Sequence, residues 1–160
     1  MSTAYIALGS NLGDSHQYLM DAIEALARLP QTRVVARSRF YRTPPWGLLD
    51  QPPFVNAAVQ IDTALPAEAL LDALLAIERA AGRVRDGERW GPRTLDLDLL
   101  YMEGVLLNDA RLTLPHPRIA ERAFVLLPLH DLAPELVIPG QGRVAELLAA
   151  IDHGECEALP

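Results

Sequence analysis

The spacing of apolar and polar residues along the chain predicts a series of strands and helices. Alternation with a period of two predicts strands at Ala4–Leu8, Arg33–Thr43, Phe54–Thr63 and Thr94–Met102, with a short returning strand within Glu103–Asp109. Helical spacing predicts helices at His16–Leu29, Pro66–Gly82 and Val144–Ile151, and a helical turn or two within His116–Pro134. Stretches rich in proline, glycine or charge predict loops at Pro44–Pro53 and Arg83–Arg93.

The order of these elements indicates an α+β fold. Strand–helix–strand–strand–helix–strand is the order of the ferredoxin-like fold. The strands at Arg33–Thr43 and Phe54–Thr63 are joined by a loop, which predicts an antiparallel pair with helices covering the sheet. The length of 160 residues suits one domain that spans residues 1–160.

Composition and charge narrow the classes of function. The net charge of -7 argues against non-specific binding to nucleic acid. No apolar run approaches the roughly 18 residues of a membrane span, so we expect no membrane association. Cys156 is the only cysteine, and the first residues lack a signal-peptide pattern. We therefore expect a cytoplasmic protein without an intrachain disulfide.

All basic side chains of the sequence are arginines. The 14 lysines and arginines include no lysine, which excludes lysine Schiff bases and the Gly-Lys-Ser/Thr ending of a Walker-type phosphate loop. Any phosphate chemistry must then depend on arginine, metal ions and backbone amides. Arginine suits that chemistry because its planar guanidinium can donate two hydrogen bonds to phosphate oxygens at once.

Asp96 and Asp98 stand two residues apart on the last long predicted strand. Alternation places both carboxylates on one face and Leu95, Leu97 and Leu99 on the other, toward the core. A half-exposed strand also gives this pattern. However, aspartate is a poor strand former, and like charges on one face repel. Two Mg²⁺ about 4 Å apart, sharing these carboxylates with water and a polyphosphate, would explain the pair.

A cationic loop comes directly before the two aspartates. Five arginines lie between residues 79 and 93, namely Arg79, Arg83, Arg85, Arg89 and Arg93. A solvated charged loop is the ordinary interpretation of such a run. Glycines at positions 82, 87 and 91 would also allow this loop to close over phosphates.

The segment "RWGPRTLDLDLL" (Arg89–Leu100) resembles, position for position, the signature of the 6-hydroxymethyl-7,8-dihydropterin pyrophosphokinases of folate biosynthesis. Similar stretches follow in order along nearly the whole chain: "YIALGSNLGD" (Tyr5–Asp14), "FYRTPPWG" (Phe40–Gly47), "FVNAAV" (Phe54–Val59), "GRVR" (Gly82–Arg85), "LTLPHP" (Leu112–Pro117) and "ERAFVLLPL" (Glu121–Leu129). The resemblance implies a monomeric, ferredoxin-like α/β/α sandwich with a mostly antiparallel sheet. It also implies transfer of a diphosphoryl group from ATP to the hydroxymethyl oxygen of a reduced pterin, with release of AMP.

The resemblance implies roles for individual residues. Asp96 and Asp98 match the ligands of two Mg²⁺ ions, with ATP as co-substrate. The other catalytic positions are arginines, at Arg83, Arg93 and Arg122. Positions that match ATP contacts are Glu78, Arg85, Arg93, Arg111, Thr113 and His116. Positions that match the pterin pocket are Thr43, Pro44, Trp46, Phe54, Asn56, Trp90, Asp96 and Phe124.

Two other classes of function remain open from the residues themselves. A non-enzymatic ferredoxin-like module would bind a nucleotide or an amino acid and would need no paired carboxylates. An RNA-binding domain of the same fold is disfavoured by the acidic charge and by the lack of an aromatic-rich RNP strand. The stretch "GSNLG" (Gly9–Gly13) could bind an anion before a helix, but we expect it to cap the helix instead.

Overall fold

A computed structural model describes residues 1–44, 52–82 and 94–160 of the chain. In these ranges the strands are β1 (Ser2–Ser10), β2 (Thr32–Arg37), β3 (Tyr41–Thr43), β4 (Phe54–Thr63), β5 (Asp96–Met102), β6 (Leu107–Asn108), β7 (Thr113–Leu114), β8 (Val137–Ile138), β9 (Gly142–Arg143) and β10 (Glu157–Ala158). The helices are α1 (Ser15–Ala27), α2 (Ala67–Ala80), α3 (Ala123–Leu132) and α4 (Val144–Ala149), with a 3-10 turn at Ile119–Glu121.

The main sheet is built around β4 and β1. Its strand order is β10-β3-β4-β1-β5, and β2 also pairs with β4. Two small hairpins, β6–β7 and β8–β9, stand apart from it. Every strand pair in the described residues is antiparallel, which confirms the predicted mostly antiparallel sheet.

Helices cover both faces of the main sheet. On the first face, α1 and α2 bury Leu19, Leu26, Leu70 and Leu74 against the sheet. On the second face, α3 and α4 form a separate apolar cluster, which includes Leu126 and Leu129 of α3 and Val144 of α4. Fully burying a leucine stabilises the fold by about 1.5–3 kcal/mol, so the two clusters hold the three layers together. This arrangement confirms the ferredoxin-like α/β/α prediction, and no described helix has the length and apolar character needed to span a membrane.

The alternation predicted for the last long strand is confirmed in β5. Leu97 and Leu99 are buried in the first-face cluster, whereas Asp96 and Asp98 are half-buried and belong to the second face. The pairing of β5 with β1 shifts register between Tyr5 and Ile6. Beyond this shift, the apolar end of β5 contributes Leu100 and Tyr101 to the second-face cluster. The second face is therefore apolar under α3 and α4 and acidic at the start of β5.

Local sequence signals determine where the two long helices begin and end. The side chain of Asp14 accepts a hydrogen bond of 3.2 Å from the backbone N–H of Gln17 and so caps α1. The expectation that "GSNLG" caps this helix is therefore wrong. Pro66 precedes α2, and Gly82 follows it with a φ of +85°, a conformation that favours glycine.

The single strand predicted at Arg33–Thr43 is interrupted. Arg37 pairs with Val59, and Tyr41 pairs with Asn56, so Ser38–Phe40 places three residues opposite two. Ser38 holds this bulge, because its hydroxyl accepts the N–H of Ala58 at 2.9 Å and donates to the carbonyl of Arg39 at 2.7 Å. The bulge separates β2 from β3.

The C-terminal residues add a strand to the edge of the sheet. Glu157 and Ala158 pair with Arg42 and Tyr41 of β3, and the N–H of Leu159 donates to the carbonyl of Phe40 at 2.8 Å. An ion pair of 3.1 Å between Arg42 and Glu157 lies on the same pair of strands. No element was predicted in this tail, since a two-residue strand has no periodicity to detect.

Candidate active site

Register across the second face brings four residues from four strands into one row. Tyr41 of β3 pairs with Asn56 of β4, Asn56 with Gly9 of β1, and Gly9 with Asp96 of β5. Directly opposed residues of antiparallel strands project from the same face. We call these four residues the site row. Asp98 lies in the next row, opposite Ala7.

Asn56 is held in one orientation within the site row. Its Oδ1 accepts a hydrogen bond of 2.6 Å from the Thr43 hydroxyl, and its Nδ2 lies 3.4 Å from the Leu8 carbonyl oxygen. Both Thr43 and Asn56 are buried. A side-chain amide has two N–H groups and two lone pairs, so each end can form one further bond.

Gly9 leaves an opening beside this amide. A Cβ built on Gly9 would lie 2.7 Å from Asn56 Nδ2 and 3.9 Å from Cδ1 of Phe54. Phe54 therefore borders the same opening, and it is half-buried. The sheet surface between Asn56 and Asp96 therefore has no side chain at Gly9, and the ring of Phe54 lies beside it.

Glu78 supports the strand that carries the two aspartates. This α2 residue is buried, and its Oε2 accepts a hydrogen bond of 2.7 Å from the N–H of Leu97. Leu97 lies between Asp96 and Asp98 in β5. The predicted ATP contact Glu78 thus bonds to the backbone of β5 and helps to fix the position of this strand.

His116 is a neutral imidazole at ordinary pH. Burial, followed by the positive charge of Arg122, lowers its pKa to about 4, although the nearby carboxylate of Asp96 opposes this shift. The N–H of Arg118 donates to Nδ1 of His116 at 3.1 Å, so the ring proton is on Nε2. The main chain of His116 is fixed to β5, since its N–H donates to the Leu100 carbonyl at 2.7 Å.

Arg122 and Phe124 enter the site from the start of α3. Arg122 is the N-cap residue of α3, and its Cζ lies 5.7 Å from the centre of the Phe124 ring. The Nε of Arg122 is buried and has no hydrogen-bond partner in the described part of the chain. A buried donor without a partner is costly, and an anionic ligand would satisfy it.

Two predicted ATP contacts lie on the β6–β7 hairpin. Arg111 is exposed and forms an ion pair with Asp72 of α2. Thr113 pairs with Asn108 and lines a cavity of about 470 Å³ between this hairpin and the Pro139–Gln141 turn. Leucine and proline side chains make up most of the lining of this cavity, and no other predicted ATP contact within the described residues lines it.

Five of the predicted site residues lie outside the described residues. These are Trp46, Arg83, Arg85, Trp90 and Arg93. Their roles stay predictions. Pro44 is described, is exposed, and directly follows β3.

The arrangement combines a carboxylate pair with cationic and neutral donors. Asp96 and Asp98 share one face of β5, and Asp96 and Arg122 both lie near enough to His116 to influence its pKa. No group of three or more His, Cys, Asp or Glu side chains that could hold a metal occurs within residues 1–44, 52–82 and 94–160. Such a site suits a polyanion that brings part of the metal shell with it.

Comparison with known proteins decides the family. A pyrophosphokinase of 2-amino-4-hydroxy-6-hydroxymethyldihydropteridine from Methylorubrum extorquens is 55% identical over 159 residues, which is 99% of each chain. Its counterpart from Pseudomonas aeruginosa is 51% identical over 156 residues, or 98% of this chain and 96% of that protein. The sequence model of 7,8-dihydro-6-hydroxymethylpterin-pyrophosphokinase (HPPK) matches residues 5–134. The chain belongs to the HPPK family.

Membership confirms the enzyme class that the resemblance implied. As an HPPK, the protein is a transferase that moves a pyrophosphoryl group from ATP to hydroxymethyldihydropterin in folate biosynthesis. The fold agrees with solved HPPK domains. The structure of Plasmodium falciparum HPPK-DHPS with pteroate superposes with a TM-score of 0.71 at 14% identity, covering 92% of this chain and 42% of that chain. At this identity the likeness concerns the fold alone, and this HPPK spans less than half of that longer chain.

Several residues in and beside the candidate site were not recognised in the sequence. Gly9 was assigned to the cap of the first helix, although a glycine inside a strand can signal a close approach of another group. Asn11 is buried, and its Nδ2 donates to the carbonyl of Pro52 at 3.0 Å, which ties the end of β1 to the segment before β4. Tyr41 of the site row donates to Asp131 of α3 at 2.8 Å. No local pattern indicated that contact.

Proposed function

We propose that this HPPK carries out the transfer on the second face of the sheet, between the site row and the start of α3. The observation that carries the proposal is the register that places Asn56, Gly9 and Asp96 side by side. The Asn56 amide stands on one side of Gly9 in this row, and the Asp96 carboxylate stands on the other. These two groups suit the two substrates of an HPPK.

The pterin would lie over Gly9. Asn56, oriented by Thr43, offers an N–H and a lone pair to the amide-like edge of a pterin ring. Phe54 borders the opening at Gly9, and we propose that Phe124, whose ring centre lies 5.7 Å from Cζ of Arg122, forms a second wall of the pocket. Aromatic rings on either side would stack on a flat heterocycle. Pro44, Trp46 and Trp90 complete the proposed pocket on the strength of the resemblance.

The triphosphate would lie between Asp96, Asp98 and the start of α3. Arg122 has a buried donor to satisfy, and the proton on Nε2 of His116 can bond to a phosphate oxygen without adding charge. We propose Glu78, Arg111 and Thr113 for the nucleoside side of the site. Arg83, Arg85 and Arg93 are proposed as further phosphate ligands from the resemblance.

Asp96 and Asp98 fit the requirements of magnesium. Two carboxylates on one face, with water and phosphate to complete the shell, form the oxygen-rich environment that Mg²⁺ prefers. We propose that these two residues hold two ions with the nucleotide. Bound Mg²⁺ supplies positive charge next to the phosphate oxygens and increases the acidity of a nearby hydroxyl.

The chemistry then follows from positioning and charge. The hydroxymethyl oxygen of the pterin attacks the β-phosphorus and loses its proton to solvent water. The bond from the β-phosphorus to the oxygen shared with the α-phosphorus breaks, and AMP leaves with that oxygen. Negative charge spreads over the phosphate oxygens, where Arg122 and the Nε2–H of His116 can stabilise it. We further propose that the protein acts as a monomeric, single-domain, cytoplasmic enzyme.

The test compares Asp96→Asn and Asp98→Asn with the wild type. AMP formation is measured against magnesium concentration, with the reduced pterin present and absent. Loss of one interaction that stabilises a transferring phosphoryl group should lower turnover by about 10²–10³-fold. Removal of one of two like charges should leave the metal-free stability equal or higher.

Asp21→Asn is the matched control, because Asp21 is exposed on α1, which packs on the first face. It should retain wild-type turnover and magnesium dependence. If both Asn variants behave as the control does, the carboxylate pair has no part in catalysis and the proposed site is wrong.

A further inference from the structure

Gln141 joins two points of the loop that carries His116. Its Nε2 donates to the His116 carbonyl at 2.9 Å, and its Oε1 accepts the N–H of Ala120 at 3.3 Å. We call residues 116–120 the His116 loop. Gln141 is half-buried and lies in the turn between β8 and β9, beyond residues 5–134 that the HPPK family model matches.

The His116 loop has one apolar anchor among the described residues, the fully buried side chain of Ile119 in the second-face cluster, and few other polar anchors. At its start, the N–H of His116 is bonded to the Leu100 carbonyl of β5. Inside it, the N–H of Arg118 is bonded to the His116 ring, which fixes the ring relative to the loop but not the loop relative to the sheet. The Gln141 amide adds a polar link from the β8–β9 hairpin to His116 and to Ala120.

The position of this loop sets the geometry of two proposed phosphate ligands. His116 stands at its first residue, and the 3-10 turn Ile119–Glu121 leads from it directly to Arg122. Arg122 lies close enough to lower the pKa of His116. A shift of the loop would therefore move both side chains relative to Asp96 together.

We propose that Gln141 is a positioning residue for the nucleotide side of the active site. It acts through the His116 loop and touches no substrate itself. The inference rests on the proposed function, since His116 and Arg122 are proposed phosphate ligands. It predicts that loss of the Gln141 amide raises KM for ATP, while pterin binding at Asn56 is unaffected.

The decisive variant is Gln141→Ala, with Gln141→Asn as a second variant that keeps the amide but shortens its reach. Loss of the bridge should raise KM for ATP by about 3- to 10-fold, the effect expected when a neutral hydrogen bond that orders a binding site is lost. KM for the pterin should stay within twofold of the wild type. Both constants are measured from AMP formation by the full chain.

Two controls separate positioning from general destabilisation. Gln17→Ala removes another glutamine amide with a side-chain partner, Asp21, on the opposite helical layer. Ile138→Val removes one buried methylene from β8, in the same hairpin as Gln141, without touching the bridge. Ile138→Val should lower the melting temperature, and both controls should leave both KM values unchanged.

NMR spectroscopy of the His116 ring reports changes in the position of the loop. In the wild type, the ¹⁵N shifts of His116 should report a neutral ring protonated on Nε2, and they should move when Mg²⁺ and α,β-methylene-ATP are added. In Gln141→Ala, the Nδ1 signal should shift or broaden before the analogue is added, because the bond from Arg118 loosens with the loop.

The outcomes distinguish the two proposals. If the analogue leaves the His116 signals of the wild type unchanged, the proposed nucleotide site is wrong. If the wild type responds but Gln141→Ala has the same KM for ATP and the same His116 spectrum, Gln141 does not position the loop. A parallel rise of both KM values in Gln141→Ala would likewise overturn the inference, because it would indicate a general loss of stability.

Discussion

Gly9→Ala tests the close approach on which the site row depends. The added methyl would lie 2.7 Å from Asn56 Nδ2, whereas normal contact requires about 3.5 Å. The amide must therefore move by roughly 1 Å. It has little room to do so, because it is buried and bonded to Thr43 at 2.6 Å. The contact to the Leu8 carbonyl is already 3.4 Å long and would be the first to break.

The cost of this substitution follows from two opposing effects. Overpacking a buried site costs about 1–3 kcal/mol. Replacement of a strand glycine by alanine returns about 0.5–1 kcal/mol through the unfolded chain. We expect a net loss of about 1–2 kcal/mol, which lowers the melting temperature by about 2–8 °C in a chain of this size. Displacement of Asn56 should also raise KM for the pterin by about 10-fold, with KM for ATP little changed.

The assay combines thermal unfolding with both KM values. Gly154→Ala is the matched control, because the nearest atom to its new Cβ would be Asp152 Oδ1 at 3.5 Å, an ordinary contact. A double-mutant cycle with Asn56→Ala identifies the clashing group. In the Asn56→Ala background, Gly9→Ala should cost no stability. If Gly9→Ala costs the same stability in both backgrounds, the clash with Asn56 is refuted. If Gly9→Ala leaves KM for the pterin unchanged, Asn56 is not part of the pterin pocket.

Three further substitutions or titrations test other contacts. Glu78→Leu leaves the N–H of Leu97 without its acceptor and should cost about 1–3 kcal/mol in urea unfolding, whereas Glu78→Gln, which keeps an acceptor oxygen, should cost less. Burial raises the pKa of Tyr41 to about 12, as does the carboxylate of Asp131, so wild-type stability should fall as pH rises from about 10 to 12. Tyr41→Phe should show a smaller fall, with the remainder from Tyr5, whose pKa is also raised by burial. The imidazole of His116 should titrate near pH 4 by NMR, and its contribution to stability should be complete above pH 6.5 and lost as pH falls to about 4; a midpoint near 6.5 would contradict its burial.

The fold could be predicted largely from local patterns. Alternation in β5 distinguished Leu97 and Leu99 from Asp96 and Asp98, and the structure confirms that division. Period and end signals likewise located α2. The bulge at Ser38 was not predictable, because it depends on how many residues of β4 stand opposite it. The local sequence of a strand does not reveal which residues of another strand will pair with it.

A site residue could be predicted only where its neighbours in the sequence reveal its chemistry. Asp96 and Asp98 could be predicted in this way, because they stand two residues apart on one strand. Gly9 does not, because its importance depends on the register that places Asn56 beside it. Gln141 and Asp131 act across 25 and 92 positions of the chain, to His116 and Arg39, so their partners cannot be read from neighbouring residues. Contacts between residues far apart in the chain, rather than residue type, determine these roles.

The central place of β1 in the sheet has a consequence for how the enzyme folds. Both neighbours of β1 come much later in the chain, as the 48 positions between Leu8 and Asn56 illustrate. Sheets joined by such distant contacts fold slowly, in milliseconds to seconds, because a long loop must close before any contact stabilises it. During synthesis, β1 therefore has two unpaired edges until β4 and β5 have been made. The site row requires β3, β4, β1 and β5 to be paired, so activity at the proposed site would report that these four strands have assembled.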